Sequence, residues 1–564
     1  MSRQPHPLPQ WADPEVPETV LDAQGVSRRG LLRRAGLFGA GFAAAGYAAG
    51  ILGATPAAAR ERDQDRDDCG GEDDPALGYL VGDHHVHSVY SHDAKYSFSQ
   101  QAAHAERYGL DWMAFTEHSN FGHANAGGAD AEHQEILKAR ADNPRLLIFQ
   151  GLEWYIPGAE HATVFAAPGP NEVALLRQFE LAYDGKLLAR GDSTAANEAF
   201  AVEALKWLDG KRRAGYVDDL LVLANHPSRL GIDSPHELRA WRDAAPDMVI
   251  GMEGAPGAQG AAIPGWRGAN SIRGEYENKP SANSWAGYPA EAYLTYGGFD
   301  WMTATVGGLW DAMLAEGRLF SVTTNSDNHR TVFDTWANGT WPAGQNFDNT
   351  GKLPDPVDTG TPQPGSDFWP GQFSRTHVGV TRHGYRQVMS GLRAGRVWVD
   401  HGQLVDGIDV RLYRDGDRRR GRGATLGGRL SVRKGEKLTL AVTVTSASRP
   451  NNNGVLPELA HLDVIRGAVR GPVRDADDWG APDTRVVHTT DTTGRTGTYT
   501  LHIPVGRAEE SFYLRLRGSD GRRNGPGLLG AAIDPHGPTA HRPGDGDPWA
   551  DTWCYTNPVF VDVR

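Results

Sequence analysis

From Gly78 onward the chain alternates short apolar runs with polar stretches, and the early runs end in side chains that ligate metals. Tyr79-Leu80-Val81-Gly82 leads into Asp83-His84-His85-Val86-His87, and Trp112-Met113-Ala114-Phe115-Thr116 leads into Glu117-His118. Leu146 to Phe149 leads to Glu153, Leu220 to Ala224 leads to His226, and Phe320 to Thr324 leads to Asp327 and His329. A helix is predicted from Ser99, as its cap, through Ala102 to Tyr108, stopped by Gly109. Strands alternating with helices predict βα units around a parallel sheet or barrel. Barrel chemistry gathers at the C-terminal ends of strands, where these side chains fall. From about Val405 the period changes to two, in Ile408 to Leu412, Leu438 to Val444, Thr498 to Ile503, Phe512 to Arg517 and Val559 to Val563. The chain therefore divides into an α/β domain over 78–402 and an all-β sandwich over 403–564.

Two connections in the first domain, 254–300 and 331–375, exceed the ordinary length of loops in compact domains and predict lids or binding loops. As such they would wall the mouth of the site, with Trp154, Tyr155 and Trp266 as possible contacts; the alternative is surface decoration. The N-terminal residues follow another pattern. Ser27-Arg28-Arg29-Gly30-Leu31-Leu32-Arg33-Arg34 precedes an uncharged Ala/Gly-rich stretch from Ala35 to Ala59 that ends in three alanines. This resembles a twin-arginine export signal over 1–59, which implies the Tat export machinery as partner and a secreted or cell-envelope location. So Ala/Gly-rich a stretch makes a poor stable membrane anchor. Residues 60–77 read as an acidic, disordered tail.

Composition narrows the function classes. A mean hydropathy of −0.49 over 564 residues excludes a polytopic membrane protein. A net charge of −13 offers no nucleic-acid platform. Two cysteines exclude a disulfide scaffold and a four-thiolate zinc site, while an oxidising compartment would permit a Cys69–Cys554 bridge. Histidine is the unusual entry, with 21 in the chain. Nine of them lie between His84 and His161, where uniform scatter would put about three. One H-x-H triplet arises by chance about 0.8 times in such a chain, so His85 and His87 gain weight only from the clustering and from Glu153 and Asp327. His104 and His133, on helical stretches, are set aside as surface or packing residues, and the five histidines after residue 460 show no ligand spacing.

Asp83-His84-His85-Val86-His87-Ser88, Phe115-Thr116-Glu117-His118, Gly151-Leu152-Glu153, Asn225-His226-Pro227 and Asn325-Ser326-Asp327-Asn328-His329 together resemble the ordered motifs of the PHP (polymerase and histidinol phosphatase) metal-dependent phosphoesterases. Gly391 to Trp398 and Trp553 to Val559 resemble segments of the CehA/McbA-like branch. The resemblance implies a distorted (β/α)7 barrel and two or three metal ions. Position by position, it implies one ion on His85, His87, Glu153 and Asp327. A second would lie on Glu153, His161 and His226, and a third on His92, His118 and His329. The family has Asp where His92 stands, so neighbouring Asp93 is an alternative ligand, and Glu117 in place of Asp would hydrogen-bond a ligand from outside the ion's own shell.

Imidazole and carboxylate donors without thiolate suit Zn²⁺, Mn²⁺ or Fe²⁺. Neither a G-x-S-x-G elbow nor a P-loop is found. The sequence thus points to an exported metal-dependent hydrolase, a phosphomonoesterase or phosphodiesterase acting on small or polymer-borne phosphate esters. Arg229 is a candidate phosphate clamp and His123 a candidate proton donor to the leaving group, with His92 in that role if it holds no ion. The alternatives are carbamate, ester or amide hydrolysis on the same metals, or a non-catalytic surface binding protein.

Overall fold

The computed structural model describes residues 77–119, 121–255, 257, 279–417, 423–542, 545 and 547–564. The export signal, the acidic tail up to residue 76, Cys69 and Trp266 lie outside the described residues. Among the described residues no helix is long and apolar enough to cross a membrane.

Seven strands carry the first half of the fold: β1 (Gly78–Val86), β2 (Trp112–His118), β3 (Leu147–Tyr155), β4 (His161–Ala166), β5 (Leu220–Ala224), β6 (Val249–Glu253) and β7 (Ser321–Thr323). They lie side by side in chain order. β1, β2 and β3 are mutually parallel, as are β5, β6 and β7, while β4 runs antiparallel to both its neighbours. Helices α1 (Phe98–Arg107), α2 (Phe121–Ala126), α3 (Gly128–Asp142), α4 (Glu172–Tyr183), α5 (Ala195–Arg213), α6 (Pro235–Ala244) and α7 (Leu309–Ala315) connect them. Every residue of β2, β5 and β6 is buried, as expected of strands covered on both faces. Helix starts follow local chemistry: Ser97, two residues before the expected Ser99, caps α1 in a reciprocal box with Gln100, and Ser234 does the same for α6 with Glu237 ahead of Pro235.

The sheet does not end at β1. β8 (Ser374–Val380) pairs antiparallel with β1, and β9 (Val397–His401) with β8. Among the described residues β1 and β7 do not pair as strands, and one isolated parallel bridge, Val86 to Asn328, links the segment after β7 back to the end of β1.

The C-terminal strands are β10 (Val405–Arg414), β11 (Arg429–Val432), β12 (Lys437–Ser446), β13 (His461–Ala468), β14 (Arg485–Asp491), β15 (Thr498–Arg507), β16 (Phe512–Ser519), β17 (Trp553–Thr556) and β18 (Val559–Val563). β10, β12 and β15 form one antiparallel sheet whose alternate residues are buried. They face Leu462, Val464, Leu514, Leu516 and Val561 of the other sheet in a shared core. That other sheet continues the first domain's own, because β9 pairs with β17. The expected sandwich is present, fused edge to edge with the α/β half. Two buried arginines make three ion pairs here: Arg515 with Asp311 of α7, in the first half, at 2.7 Å, and Arg517 with Asp463 and Asp534 at 2.7 Å each.

Candidate metal centre

The ends of β1, β2, β3 and β5, the start of β4 and the segment after β7 bring their polar side chains to one rim. His85 and His87 stand two positions apart at the end of β1, so their rings leave on the same side, with their Nε2 atoms 3.0 Å apart. Asp327 Oδ1 lies 3.0 Å from the first and 3.2 Å from the second. Glu153 is the hub of the cluster. Its Oε1 is 3.2 Å from His85 Nε2, 2.9 Å from His161 Nδ1 and 3.1 Å from His226 Nε2, and its Oε2 is 2.7 Å from His118 Nδ1 and 3.4 Å from His87 Nε2. His118 Nε2 faces His329 Nε2 at 3.2 Å, with Asp93 Oδ1 3.5 and 3.6 Å from them. Four triads can each converge on one ion: His85, His87 and Asp327; Glu153, His161 and His226; His87, His118 and His329; and His92, Asp93 and His118.

These residues fit divalent cations on their donor chemistry. Nitrogen facing nitrogen at 3.0 and 3.2 Å, inside a ring of carboxylate oxygens, is an arrangement that a positive charge between the atoms stabilises. The distances leave a shared ion within bonding reach of several donors at once, and no thiolate competes. The backbone supports the same reading. His226 and Asp327 hold φ of 30° and 45°, left-handed conformations costing roughly 1–2 kcal/mol each for an L-residue. Such strain is retained where a side chain must be aimed.

A surrounding set of groups orients the donors. Glu253, at the end of β6, takes the Nδ1 of His85 at 2.7 Å and accepts the backbone N–H of His226 at 2.8 Å. His87 Nδ1 meets Ser91 Oγ at 2.9 Å, and that hydroxyl donates to Glu117 at 2.6 Å. Glu117 thus acts on a ligand through Ser91. Asp367 accepts the backbone N–H groups of His329 and Arg330, each at 2.6 Å. Sequence reasoning missed Glu253, although Val249-Ile250-Gly251-Met252-Glu253 repeats the signal of an apolar run ending in a carboxylate.

The electrostatics follow from burial and proximity. Burial disfavours a charged His85 ring, yet Asp327, Glu253 and Glu153 together hold its pKa well above the ordinary value. Burial likewise opposes His118, but Asp93 and Glu153 push it up to about 10. Against its own burial, Glu153 is held well below the usual carboxylate range by His161, His85 and His118. His92 differs: partial desolvation, outweighing the pull of Asp93, pushes it down to about 4.

The other sequence candidates fall as follows. Asp93 sits between His118 and His329, whereas His92 is 40% exposed and joins only the triad with Asp93 and His118. Arg229 Nη1 donates to Glu160 at 2.9 Å, and Glu160 lies 3.8 Å from His226. His123 takes no place in the four triads. It is fully buried, with Nδ1 2.6 Å from Glu180 and Nε2 3.7 Å from Glu132, so its ring is held between helices α3 and α4. Trp154 is a core residue, buried on Phe179 with its indole N–H on the Tyr183 carbonyl, and walls no site. Tyr155 does reach the rim, its hydroxyl 3.3 Å from His118 Nδ1 and 3.2 Å from Lys186 Nζ. His104 stacks on Trp369 and His133 bonds Gln150, the packing roles expected of them. Cys554 is buried.

Comparison with known proteins adds the family context. Residues 83–223 match the PHP domain. That segment carries His85, His87, Asp93, His118, Glu153 and His161, while His226, Asp327 and His329 follow it. Among solved structures, the chain is similar to a two-domain protein from Bacteroides vulgatus described as containing a predicted PHP-like metal-dependent phosphoesterase. Identity is 13%, with 80% of this chain and 94% of that chain covered, at a TM-score of 0.29. It is also similar to PfuEndoQ, a lesion-specific endonuclease from Pyrococcus furiosus, at 12% identity over 56% of each chain and a TM-score of 0.26. No curated protein matches the chain.

Proposed function

We propose that this protein is an exported, metal-dependent phosphoester hydrolase of the PHP type, in the CehA/McbA-like branch, with β1 to β7 as its distorted seven-stranded barrel. The observation that carries the reading is the Glu153 carboxylate, which has five imidazoles within 3.4 Å. His85, His87, Glu153 and Asp327 would hold one ion, and Glu153, His161 and His226 a second. His118 and His329, with Asp93 and with His92 at its edge, would hold a third. Divalent cations bound there supply Lewis acidity and lower the pKa of a water molecule toward neutrality.

The chain's own residues prepare this site. Glu253 accepts the Nδ1–H of His85 and leaves the Nε2 lone pair facing the cluster; Ser91 does the same for His87, and the Asp327 carbonyl for His329. Arg229, tethered by Glu160 beside His226, brings a guanidinium next to the second ion position, where it would attract a phosphate oxygen. Lys186, on the Tyr155 ring at 4.5 Å, puts a second positive charge at the rim. Both charges favour an anionic ester over a neutral one. His123, clamped by two glutamates, is assigned to the scaffold.

The test is a substrate matrix. Protein purified with its native metal is assayed on an aryl phosphodiester, an aryl phosphomonoester and an aryl carbamate, beside Arg229→Ala and Lys186→Ala. The expected result is hydrolysis of a phosphate ester, with KM raised in both variants. Hydrolysis of the carbamate alone would overturn the reading.

A further inference from the structure

A cavity of about 350 Å³ opens where the 331–375 connection meets the C-terminal sandwich. Three aromatic side chains wall it: Phe333, Phe368 and Trp549. Phe333 is 54% exposed and holds a left-handed φ of 61°, while Trp549 is held by edge-on contacts with Phe368 and Phe373 and is only partly buried. The polar lining is hydroxyl, amide and carboxylate: Thr331, Gln372, Asn452, Asn453 and Asp547. No lysine or arginine is among these described lining residues.

That chemistry selects its ligand. A phosphate group would meet Asp547 with no base among the described lining residues to balance it, so this lining is unsuited to the anionic end of a substrate. A pyranose ring presents apolar C–H faces, which aromatic walls cover, and hydroxyl edges, each both donor and acceptor. Side-chain amides answer such edges with a donor and an acceptor on one planar group; here Asn452 Nδ2 also donates to the Gln372 backbone carbonyl at 2.8 Å and Gln372 Oε1 accepts the Trp369 N–H at 3.0 Å, which fixes both amide planes. The volume lies at the lower end of the roughly 300–1,000 Å³ typical of small-molecule pockets, many of which form at domain junctions.

Position ties the cavity to the metal centre. Thr331, in the lining, follows His329 by two residues, which limits the separation of their Cα atoms to about 7 Å. Asn328 donates to both the Thr331 hydroxyl, at 3.0 Å, and the Phe368 carbonyl, at 2.8 Å. Asp367, next to Phe368, accepts the His329 N–H. We infer that this cavity is a subsite for the neutral sugar ring of a substrate whose phosphate ester reaches the metal centre, an inference that rests on the hydrolase reading for its phosphate end but not for its sugar end. The sandwich, through Asn452, Asn453, Asp547 and Trp549, then contributes to substrate choice.

The test has two arms on the full-length metal-loaded protein, with Phe333→Ala and Asn453→Ala, exposed positions whose folding is checked by Tm. In the first, saturation-transfer NMR measures binding of uncharged methyl glycosides of glucose, galactose, mannose and N-acetylglucosamine. At least one is expected to bind, roughly tenfold more weakly in each variant. In the second, kcat/KM for the matching glycosyl phosphate is expected to fall roughly tenfold through KM, with that for phenyl phosphate unchanged. Binding of no glycoside, or equal effects of the variants on both phosphates, would overturn the inference. Glycoside binding sensitive to both variants, with neither phosphate hydrolysed, would leave the sugar site standing and overturn the hydrolase reading instead.

Discussion

Glu253 touches no proposed ion, yet it faces His85 Nδ1 at 2.7 Å and the His226 backbone at 2.8 Å, orienting one donor of each of the first two ion positions. Glu253→Gln keeps the shape and removes the charge. It should lower metal affinity about 10–100-fold, as loss of such supporting carboxylates does, measured by competition with a chromophoric chelator. Protonation supplies a second prediction. His118 is pushed up to about 10 by Asp93 and Glu153 against its burial, so at pH 8 the metal-free ring carries a proton that an incoming ion must displace. Apparent metal affinity should therefore rise as pH rises toward 10 and fall on acidification. Calorimetry in two buffers of different ionisation enthalpy would read the released proton, and affinity independent of pH over 6–9 would contradict the assignment. At this scale the sequence was highly legible, because clustered histidines behind apolar runs carry their own signal. Two residues escaped its proper weighting: Glu253, whose run was not connected with the others, and Asp93, whose claim over His92 depends on which side chain turns inward after Ser91.

β4 shows why strand direction is harder to read than strand existence. The rule that places ligands at the C-terminal ends of strands fails for His161, which begins its strand. Because β4 runs antiparallel to β3 and β5, its first residue stands on the same rim as their last ones. Apolar alternation encodes faces, not direction, so nothing local announces the reversal. Elsewhere on the rim, packing between strands sets the ligand positions. A Cβ on Gly251 of β6 would lie 1.9 Å from the Ser321 carbonyl oxygen of β7, a backbone atom with no room to yield. Gly251→Ala should push β6 from β7, displace Glu253 relative to Asp327, and reduce both thermal stability and bound metal. An alanine variant with wild-type Tm and metal content would show that the two strands do not hold the site together.

Across the whole described molecule, the two expected domains share a sheet, because β9 of the first half pairs with β17 of the second. Composition and period place the change to two-residue alternation near Val405, but the fusion depends on which edges meet, a long-range fact. Asp311 and Arg515 join the halves by a fully buried pair, with Tyr513 also donating to Asp311 at 2.9 Å. Arg515→Met would leave that carboxylate buried and unpaired, so unfolding free energy should drop by about 3–5 kcal/mol in urea titration. Loss of under ~1 kcal/mol would mean that the pair is dispensable. The central claim, that a polynuclear metal centre hydrolyses phosphate esters, is tested most directly by following phosphoester hydrolysis as metal is removed by chelation and then returned to the wild type, His85→Ala and Asp327→Ala. The account predicts activity lost on chelation and restored by two or three equivalents of a divalent cation in the wild type alone. Hydrolysis that persists in chelated protein and in both variants would contradict it.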